Sequence, residues 1–177
     1  EVERMPVPPG HADKPFFGIS YFASFGCPEP CGFCCAPEVS GMRWKCMPAE
    51  RMLDDLCGLH ERWGFDTLRF YDANWGVMEK RSAAFARGLL ERDLRFWWYS
   101  LMQSSSVVRY APATLDAMRD SGMYVAQLGA ESGDEAMLRQ IGKHMHASDN
   151  LDAAAEMDRR GICTWMTYII GFPGEDS

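Results

Sequence analysis

The sequence has little of what membrane and exported proteins carry. Its longest apolar stretch, around residues 165–172, is interrupted by polar residues and by Gly171, so it falls short of the ~18 to 20 apolar residues that a membrane-spanning helix needs. No segment combines the charged start and apolar middle of a secretory signal. We therefore predict a cytoplasmic protein with no membrane partner.

Positive charge is also scarce. The 18 Lys and Arg residues stand against 25 Asp and Glu residues, which gives a net charge of −7. A nucleic-acid groove needs a basic face, so the sequence predicts no nucleic-acid partner. With 177 residues, of which 47% are hydrophobic and 24% charged, the chain has the length and composition of one globular domain.

Five apolar segments alternate with amphipathic stretches after a Pro-rich, charged start. The predicted strands are residues 17–25, 65–71, 94–101, 123–129 and 162–170. Helices are predicted from Pro48, over 78–89, from Pro112, after a capping box of Ser132 and Glu135, and over 148–160.

Strands that alternate with helices predict an α/β fold with a parallel sheet. Because five such units occur without a dinucleotide fingerprint, we favour a partial TIM-like barrel over a doubly wound sheet. We expect residues 1–15 to form a linker and residues 16–177 the barrel domain. We also expect the chain to be cut from a longer protein, with the end of the barrel outside it.

Cysteine is the one unusual feature of the composition. The chain has 7 cysteines, an odd number that cannot all pair with one another. Cys27, Cys31 and Cys34 follow a C-x3-C-x2-C pattern in a loop rich in Pro and Gly. Three thiolates can hold a 4Fe–4S cluster and leave one iron open. Cys35 is an alternative third ligand, and a structural zinc site completed by Cys46 or a His is an alternative to the cluster.

The cysteine pattern, with Phe33 before its last residue, resembles the CxxxCxxC loop of the radical S-adenosylmethionine (SAM) superfamily. "LGAESGDEAMLRQIGK" at 128–143 and "YIIGFPGED" at 168–176 are similar to the fourth- and fifth-strand signatures of one branch. That branch contains the cobalamin-dependent radical enzymes and the methylthiotransferases. The resemblance extends from about residue 16 onward, and it implies a six-unit barrel of which about five units are present.

The resemblance implies roles for individual residues. It implies that Cys27, Cys31 and Cys34 bind the cluster, whose open iron is chelated by S-adenosylmethionine. It further implies that the cofactor is contacted by Phe33, Asp72, Glu131, Ser132, Ile170 and Gly171. Without the resemblance, each of three residues has a structural alternative. Phe33 can be a hydrophobic plug under the loop, Asp72 can cap a loop, and Ser132 can cap a helix. Trp75 and Gln103, at the ends of the second and third strands, are the candidates for substrate contact.

The implied activity is reductive cleavage of S-adenosylmethionine to a 5′-deoxyadenosyl radical. In the most similar branch this serves cobalamin-dependent methyl transfer to an unactivated carbon of a small-molecule or natural-product substrate. Cobalamin would be bound by a domain outside this chain, and a low-potential flavodoxin or ferredoxin would donate the electron. One alternative is an oxidative cyclase or rearrangement enzyme of the same branch. The other is a non-catalytic module in which a metal has only a structural role.

Overall fold

The computed structural model describes residues 7–12 and 15–175, so residues 1–6 and 13–14 of the predicted linker lie outside the described ranges. The strands are β1 (Gly18–Tyr21), β2 (Ser24–Phe25), β3 (Lys45–Cys46), β4 (Thr67–Phe70), β5 (Trp97–Met102), β6 (Met123–Glu131) and β7 (Cys163–Tyr168). The helices are α1 (Ala36–Ser40), α2 (Ala49–Trp63), α3 (Glu79–Glu91), α4 (Ser104–Arg109), α5 (Pro112–Asp120), α6 (Glu135–Gln140) and α7 (Ala147–Asp158), and a 3-10 turn covers Trp75–Val77.

Five of these strands form one parallel sheet in the order β1-β4-β5-β6-β7. Gly18 pairs with Thr67, Thr67 with Trp97, and Val125 with Cys163. Each strand lies beside the one before it, which is how a barrel is wound, whereas a doubly wound sheet reverses its order. The predicted α/β class and partial-barrel architecture are therefore confirmed in the described part of the chain.

The first predicted strand, residues 17–25, is wrong as a single element. β1 ends at Tyr21, and the chain then leaves the parallel sheet. Ser24 and Phe25 pair antiparallel with Cys46 and Lys45 in a separate two-residue ladder. Apolar composition does not reveal this break, because aromatic residues continue through it.

The predicted long helices are present, and their ends follow local chemistry. α2 begins after Pro48, buries Met52, Leu53 and Leu56, and stops at Gly64, which is left-handed. None of the helices in residues 7–12 and 15–175 is long and apolar enough to cross a membrane.

The capping box predicted for Ser132 and Glu135 is wrong. Asp134 is the residue that caps α6, and its carboxylate accepts from the Met137 backbone N–H at 2.7 Å. The Ser132 hydroxyl accepts instead from the Asp134 N–H at 3.1 Å. Asp is as good a cap as Ser, so the sequence pattern allowed both positions and the chain uses the later one.

An aromatic cluster joins the sheet to its helices. The rings of Phe70, Trp75, Phe85 and Trp98 lie with centroids between 5.2 and 5.9 Å apart, and all four side chains are buried. Large aromatic side chains contribute most of the buried apolar area in such a core.

The opposite face of the sheet is different in character. Along β5, Trp98 and Met102 are buried on the helix side, whereas Trp97, Tyr99 and Leu101 alternate with them and are part-exposed. Side chains alternate between the two faces of a strand, so these three residues share the second face. We term this second face the open face.

The contact between α2 and α3 gives a test of the packing. A methyl group on Gly88 of α3 would lie 2.2 Å from Leu53 Cδ1, in the buried contact between the two helices. We expect Gly88→Ala to lower the free energy of unfolding by ~1–3 kcal/mol, because the packed side chain must move. Gly58→Ala is the matched control, since nothing lies within 4 Å of its added methyl.

Gly58→Ala should raise the free energy of unfolding by about 0.5–1 kcal/mol, the ordinary helix preference of Ala over Gly. Urea denaturation of both variants measures the difference. Equal effects of the two substitutions would contradict the packing of α3 on α2.

Candidate functional site

Parallel strands bring the loops at their carboxyl ends to one edge of the sheet. These loops begin at residues 22, 71, 103, 132 and 169. The first is the longest, because it contains β2, α1 and β3 before α2 begins. We term residues 26–44, between the two strands of the small ladder, the cysteine loop.

The cysteine loop has a closed base and a tight turn. Gly26 opens it at a φ of 82°, and a Cβ there would lie 2.0 Å from the Arg43 carbonyl oxygen, so only glycine fits. Cys31 is buried, Cys27 is part-buried and Cys34 is exposed. The Cys34 N–H donates to the Cys31 carbonyl at 3.1 Å. The last two cysteines of the pattern therefore lie on one turn.

The loop is fixed to the segment that follows α6. The Gly32 N–H donates to the Ile141 carbonyl at 2.8 Å. The Glu29 carboxylate lies 3.4 Å from His144 Nδ1. These contacts bring residues from the end of β1 and from beyond β6 together, as expected for strands whose ends meet at one edge.

Two of the thiols, those of Cys27 and Cys31, lie where a free thiolate is unfavourable. Burial is the largest cause that raises the pKa of Cys27, and it raises the pKa of Cys31 to about 11. The charge of Lys143 lowers the pKa of Cys31, whereas Cys27, Glu29 and Cys34 raise it. Added positive charge, such as a metal centre supplies, would favour the thiolate forms of Cys27 and Cys31.

The arrangement of the loop bears on which metal centre fits. In residues 7–12 and 15–175, no three Cys, His, Asp or Glu side chains converge as they would around one ion. Zinc needs four ligands within about 2.0–2.3 Å, whereas a 4Fe–4S cubane takes each thiolate on a different iron. The structure does not decide between the two groups, and cluster binding stays a prediction. Cys35 is exposed beside Cys34, and the alternative third ligand stays open.

A buried ion pair lies beside the loop. Lys143 Nζ donates to Glu131 Oε1 at 2.9 Å, with the two side chains 6% and 11% exposed. Glu131 ends β6 at a φ of 61°, which costs a non-glycine residue about 1 kcal/mol or more. A Cβ on Gly129 would lie 2.6 Å from Glu131 Oε1, so the pair folds back over a glycine. Such a strained, buried charge pair at a strand end is typical of a functional site.

Asp72 is buried at the end of β4 with both oxygens engaged. Oδ2 accepts from the Ala23 N–H at 3.1 Å, and Oδ1 accepts from the Ser24 hydroxyl. Burial raises the pKa of this carboxyl, while these hydrogen bonds and the charge of Arg81 oppose the rise. The contacts agree with the loop-cap alternative for Asp72, and its contact with cofactor stays a prediction.

The buried guanidinium of Arg81 joins the two ends of the cysteine loop. It donates to the carbonyls of Met47 at 3.0 Å, Ala23 at 3.1 Å and Trp75 at 3.4 Å. Ala23 precedes the loop and Met47 follows it. The guanidinium carbon also lies 5.7 Å from the ring centre of Trp44, which belongs to the loop itself. Nothing in the local sequence distinguishes Arg81 from a solvated helix residue.

The remaining predicted cofactor contacts lie at the same edge. Phe33 packs on Phe172 at a centroid distance of 5.7 Å and is 40% exposed, so its ring is both a plug and an accessible surface. Ser132 is buried, with its hydroxyl bonded inside the α6 cap. Ile170 is 92% exposed, and Gly171 follows it at a φ of 91°.

The prediction that Trp75 faces a substrate is wrong. Trp75 is fully buried in the aromatic core against Phe70, Phe85 and Trp98. Its place after a strand suggested the functional edge, but the 3-10 turn directs the ring back beneath the sheet. Gln103 is buried at the start of α4, and its role towards substrate stays a prediction.

Comparison with known sequences agrees with these features. The family model described as "Radical SAM superfamily" matches residues 21–177. An uncharacterized methyltransferase of Pyrococcus horikoshii is 29% identical over 173 residues, which are 98% of this chain and 37% of that protein. The anaerobic magnesium-protoporphyrin IX monomethyl ester cyclase of Synechocystis is 23% identical over 149 residues, 84% of this chain and 30% of that protein. The chain thus spans about a third of the length of these relatives.

Solved structures share the fold. TsrM, a radical S-adenosylmethionine methyltransferase from Kitasatospora setae with cobalamin and a [4Fe-4S] cluster bound, aligns with a TM-score of 0.78 at 18% identity. The match covers 90% of this chain and 32% of TsrM. OxsB, a cobalamin-dependent S-adenosylmethionine radical enzyme, aligns at 0.71 and 19% identity over 85% of this chain and 23% of its own. At these identities the likeness shows the fold alone.

The contacts of Arg81 give a testable prediction. Arg81→Met keeps the apolar stem but removes the donor to the carbonyls of Met47 and Trp75, one of the two donors to the Ala23 carbonyl, and the positive charge near Asp72. We expect the free energy of unfolding to fall by about 3 kcal/mol and iron uptake by the cysteine loop to fall with it. Arg51→Met removes an exposed i,i+4 pair with Asp55 and should cost about 0.5 kcal/mol or less.

Urea denaturation of the metal-free protein and iron analysis after reconstitution measure both effects. If the Arg81→Met protein is as stable as the Arg51→Met protein and takes up as much iron, Arg81 does not hold the loop.

Proposed function

The chain belongs to the radical SAM superfamily, and we propose that it binds a 4Fe–4S cluster and S-adenosylmethionine as the core of a cobalamin-dependent methyltransferase. When bound, the cluster supplies one electron that breaks the bond between the sulfonium sulfur and C5′, leaving methionine and a 5′-deoxyadenosyl radical. The observation that carries the proposal is the cysteine loop held at the carboxyl edge of the sheet, with the buried Glu131–Lys143 pair beside it.

Cys27, Cys31 and Cys34 are the proposed cluster ligands. Burial of Cys27 and Cys31 keeps water away from one side of the loop, while the exposure of Cys34 keeps the other side near the surface. Lys143 offsets negative charge at Cys31. Electrons would reach the exposed side from a low-potential flavodoxin or ferredoxin.

Glu131 and Lys143 offer opposite charges at one place, and the methionine end of S-adenosylmethionine carries an ammonium and a carboxylate. We assign Glu131 to the ammonium or the ribose hydroxyls and Lys143 to the carboxylate. A carboxylate accepts from such donors, and a Lys ammonium donates to a carboxylate. Ser132 would contact the same end of the cofactor, and Asp72 would act through the loop backbone that it holds.

The adenine would lie on the apolar surface across the edge. The exposed part of the Phe33 ring, the exposed Ile170 and the glycine backbone at Gly171 form this surface. A flat heterocycle stacks on aromatic and aliphatic side chains and approaches closely where a Cβ is missing.

For the substrate we propose methyl transfer to an unactivated carbon of a small molecule or natural product. The relative named as a methyltransferase favours this reaction. Cobalamin would be bound by a domain outside residues 16–177. Oxidative cyclisation is the second candidate, and the relative named as a cyclase favours it.

Replacement of single cysteines tests the ligand assignment. Cys31→Ala and Cys27→Ala should lose the electron paramagnetic resonance signal of the reduced cluster and the release of 5′-deoxyadenosine. Comparison of Cys34→Ala with Cys35→Ala identifies the third ligand, and we expect loss only for the first. Cys57→Ala, in α2 and away from the loop, is the matched control.

A Cys31→Ala protein that still cleaves S-adenosylmethionine would refute the assignment. A folded wild-type protein that binds zinc and ignores S-adenosylmethionine would establish the structural metal module instead.

Glu131→Gln tests the cofactor site while keeping side-chain size. It removes the charge that faces the ammonium, so we expect S-adenosylmethionine to bind about tenfold more weakly, the scale of one hydrogen bond to a charged group. Glu91→Gln, exposed at the end of α3, should leave the affinity unchanged. Calorimetric titration of the reconstituted proteins measures both. Unaltered affinity in Glu131→Gln, with the cluster intact, would rule out this role.

A further inference from the structure

The open face of the sheet carries an arginine framed by tyrosines. Arg69 of β4 stands beside Tyr99 of β5 in the strand register. Its guanidinium carbon lies 4.0 Å from the ring centre of Tyr71 and 5.6 Å from that of Tyr99. Tyr124 of β6 continues the row, with its ring edge-on to Tyr99 at 5.8 Å. Together with Ser20 these four side chains line a cavity of about 270 Å³, which we term the Arg69 pocket.

The charge of Arg69 is not neutralised within the described residues. Elsewhere in residues 7–12 and 15–175, arginines such as Arg92 and Arg160 make ion pairs with acidic side chains. Arg69 makes none there, and its neighbours in the pocket are hydroxyls and rings. A part-buried cation without a counter-ion is costly unless a ligand supplies the opposite charge.

Tyr99 and Tyr124 supply neutral hydrogen-bond donors to the pocket. Burial raises the pKa of Tyr124 to about 12. Burial is also the main cause that raises the pKa of Tyr99, while the charge of Arg69 opposes the rise. A guanidinium and neutral phenols together favour a planar or tetrahedral anion and disfavour a cation.

We propose that the Arg69 pocket binds the anionic group, a carboxylate or a phosphate, of the substrate. This inference rests on the proposed function, because it places a substrate on the open face below the cysteine loop. The residues at the carboxyl edge do not define the chemical class of the substrate. The Arg69 pocket does, because it favours a molecule with an acidic group remote from the carbon that reacts.

The position of the pocket sets the length of that molecule. Arg69 pairs with Tyr99, and Tyr99 with Val125 of β6. Glu131 lies six residues further along the same strand, which is up to about 20 Å. Phe22, just before the cysteine loop, packs on Tyr71 at 5.7 Å, so an aromatic wall connects the pocket to the edge where the cofactor would lie.

Binding of small probes to the protein tests the pocket without knowledge of the substrate. The probes are phenyl phosphate, benzoate and the neutral benzyl alcohol, each titrated by nuclear magnetic resonance. We expect at least one of the two anions to bind the wild type ten times more tightly than it binds Arg69→Met. Benzyl alcohol should show no such difference. Arg95→Met, which removes an exposed arginine paired with Asp93, is the matched control and should bind the probes as the wild type does.

The two anions distinguish the source of the charge: a selective loss for phenyl phosphate identifies a phosphate, and a selective loss for benzoate a carboxylate. Equal binding of both anions to wild type and Arg69→Met overturns the proposal. If Arg69→Met does not fold, Arg69→Lys takes its place. The proposal is then overturned if Arg69→Lys binds both anions as tightly as the wild type does and the wild type binds the anions no more tightly than benzyl alcohol.

The cluster signal and the cleavage of S-adenosylmethionine test the proposed function separately from the pocket. Arg69→Met should keep the cluster signal and the substrate-independent release of 5′-deoxyadenosine at wild-type levels, because the pocket of Arg69 is lined by residues outside the cysteine loop. A wild type without cluster or cofactor cleavage would defeat the proposed function, and the probe titration would still report on the pocket.

Discussion

The three carbonyls gathered by the Arg81 guanidinium are the contact on which the site depends. A loop of nineteen residues cannot hold its own shape, and its ends must be brought together at an entropic cost that grows with length. The β2–β3 ladder and a hydrogen bond from the Met47 N–H to the Ala23 carbonyl at 2.8 Å pair the chain on both sides of the loop. Arg81 bonds the carbonyls of the same two residues, Ala23 and Met47, while Asp72 bonds the Ala23 N–H and the Ser24 hydroxyl. Because Arg81 belongs to α3 and Asp72 to the end of β4, the barrel itself fixes where the cysteines lie.

Charge balance is the second constraint on this edge of the sheet. Thiolates and Glu29 bring negative charge into a part-buried region, and each raises the pKa of Cys31. Lys143 is the nearby cation, but it is already bonded to Glu131. The pair is neutral as a whole, so it can be buried, and the charge of Lys143 still lowers the pKa of Cys31. A strained backbone at Glu131 is tolerated because this geometry over-determines it.

Sequence reasoning recovered the parts of the fold that depend on local periodicity. The five parallel strands and the long helices follow from apolar spacing, from Pro48 and Pro112, and from glycines such as Gly64. It failed where two-residue strands or distant partners decide the structure. The β2–β3 ladder needs Cys46 to return beside Ser24, and Lys143 and Arg81 gain their importance only through residues far away in the chain. The cysteine pattern itself was legible because all its members lie in one loop.

The two faces of the sheet are built on opposite principles, and the difference explains what each can do. On the helix side, Trp98 and its aromatic neighbours form a buried core, in which the guanidinium of Arg81 lies 5.5 Å from the ring centre of Trp75. On the open face, every second residue lies outside that core, because side chains alternate along a strand. Arg69 is therefore placed on the open face without any cost to the core, one residue away from the buried Leu68 and Phe70. Because the two sets of side chains point away from each other, a substitution at Arg69 leaves the packing of Leu68 and Phe70 unchanged.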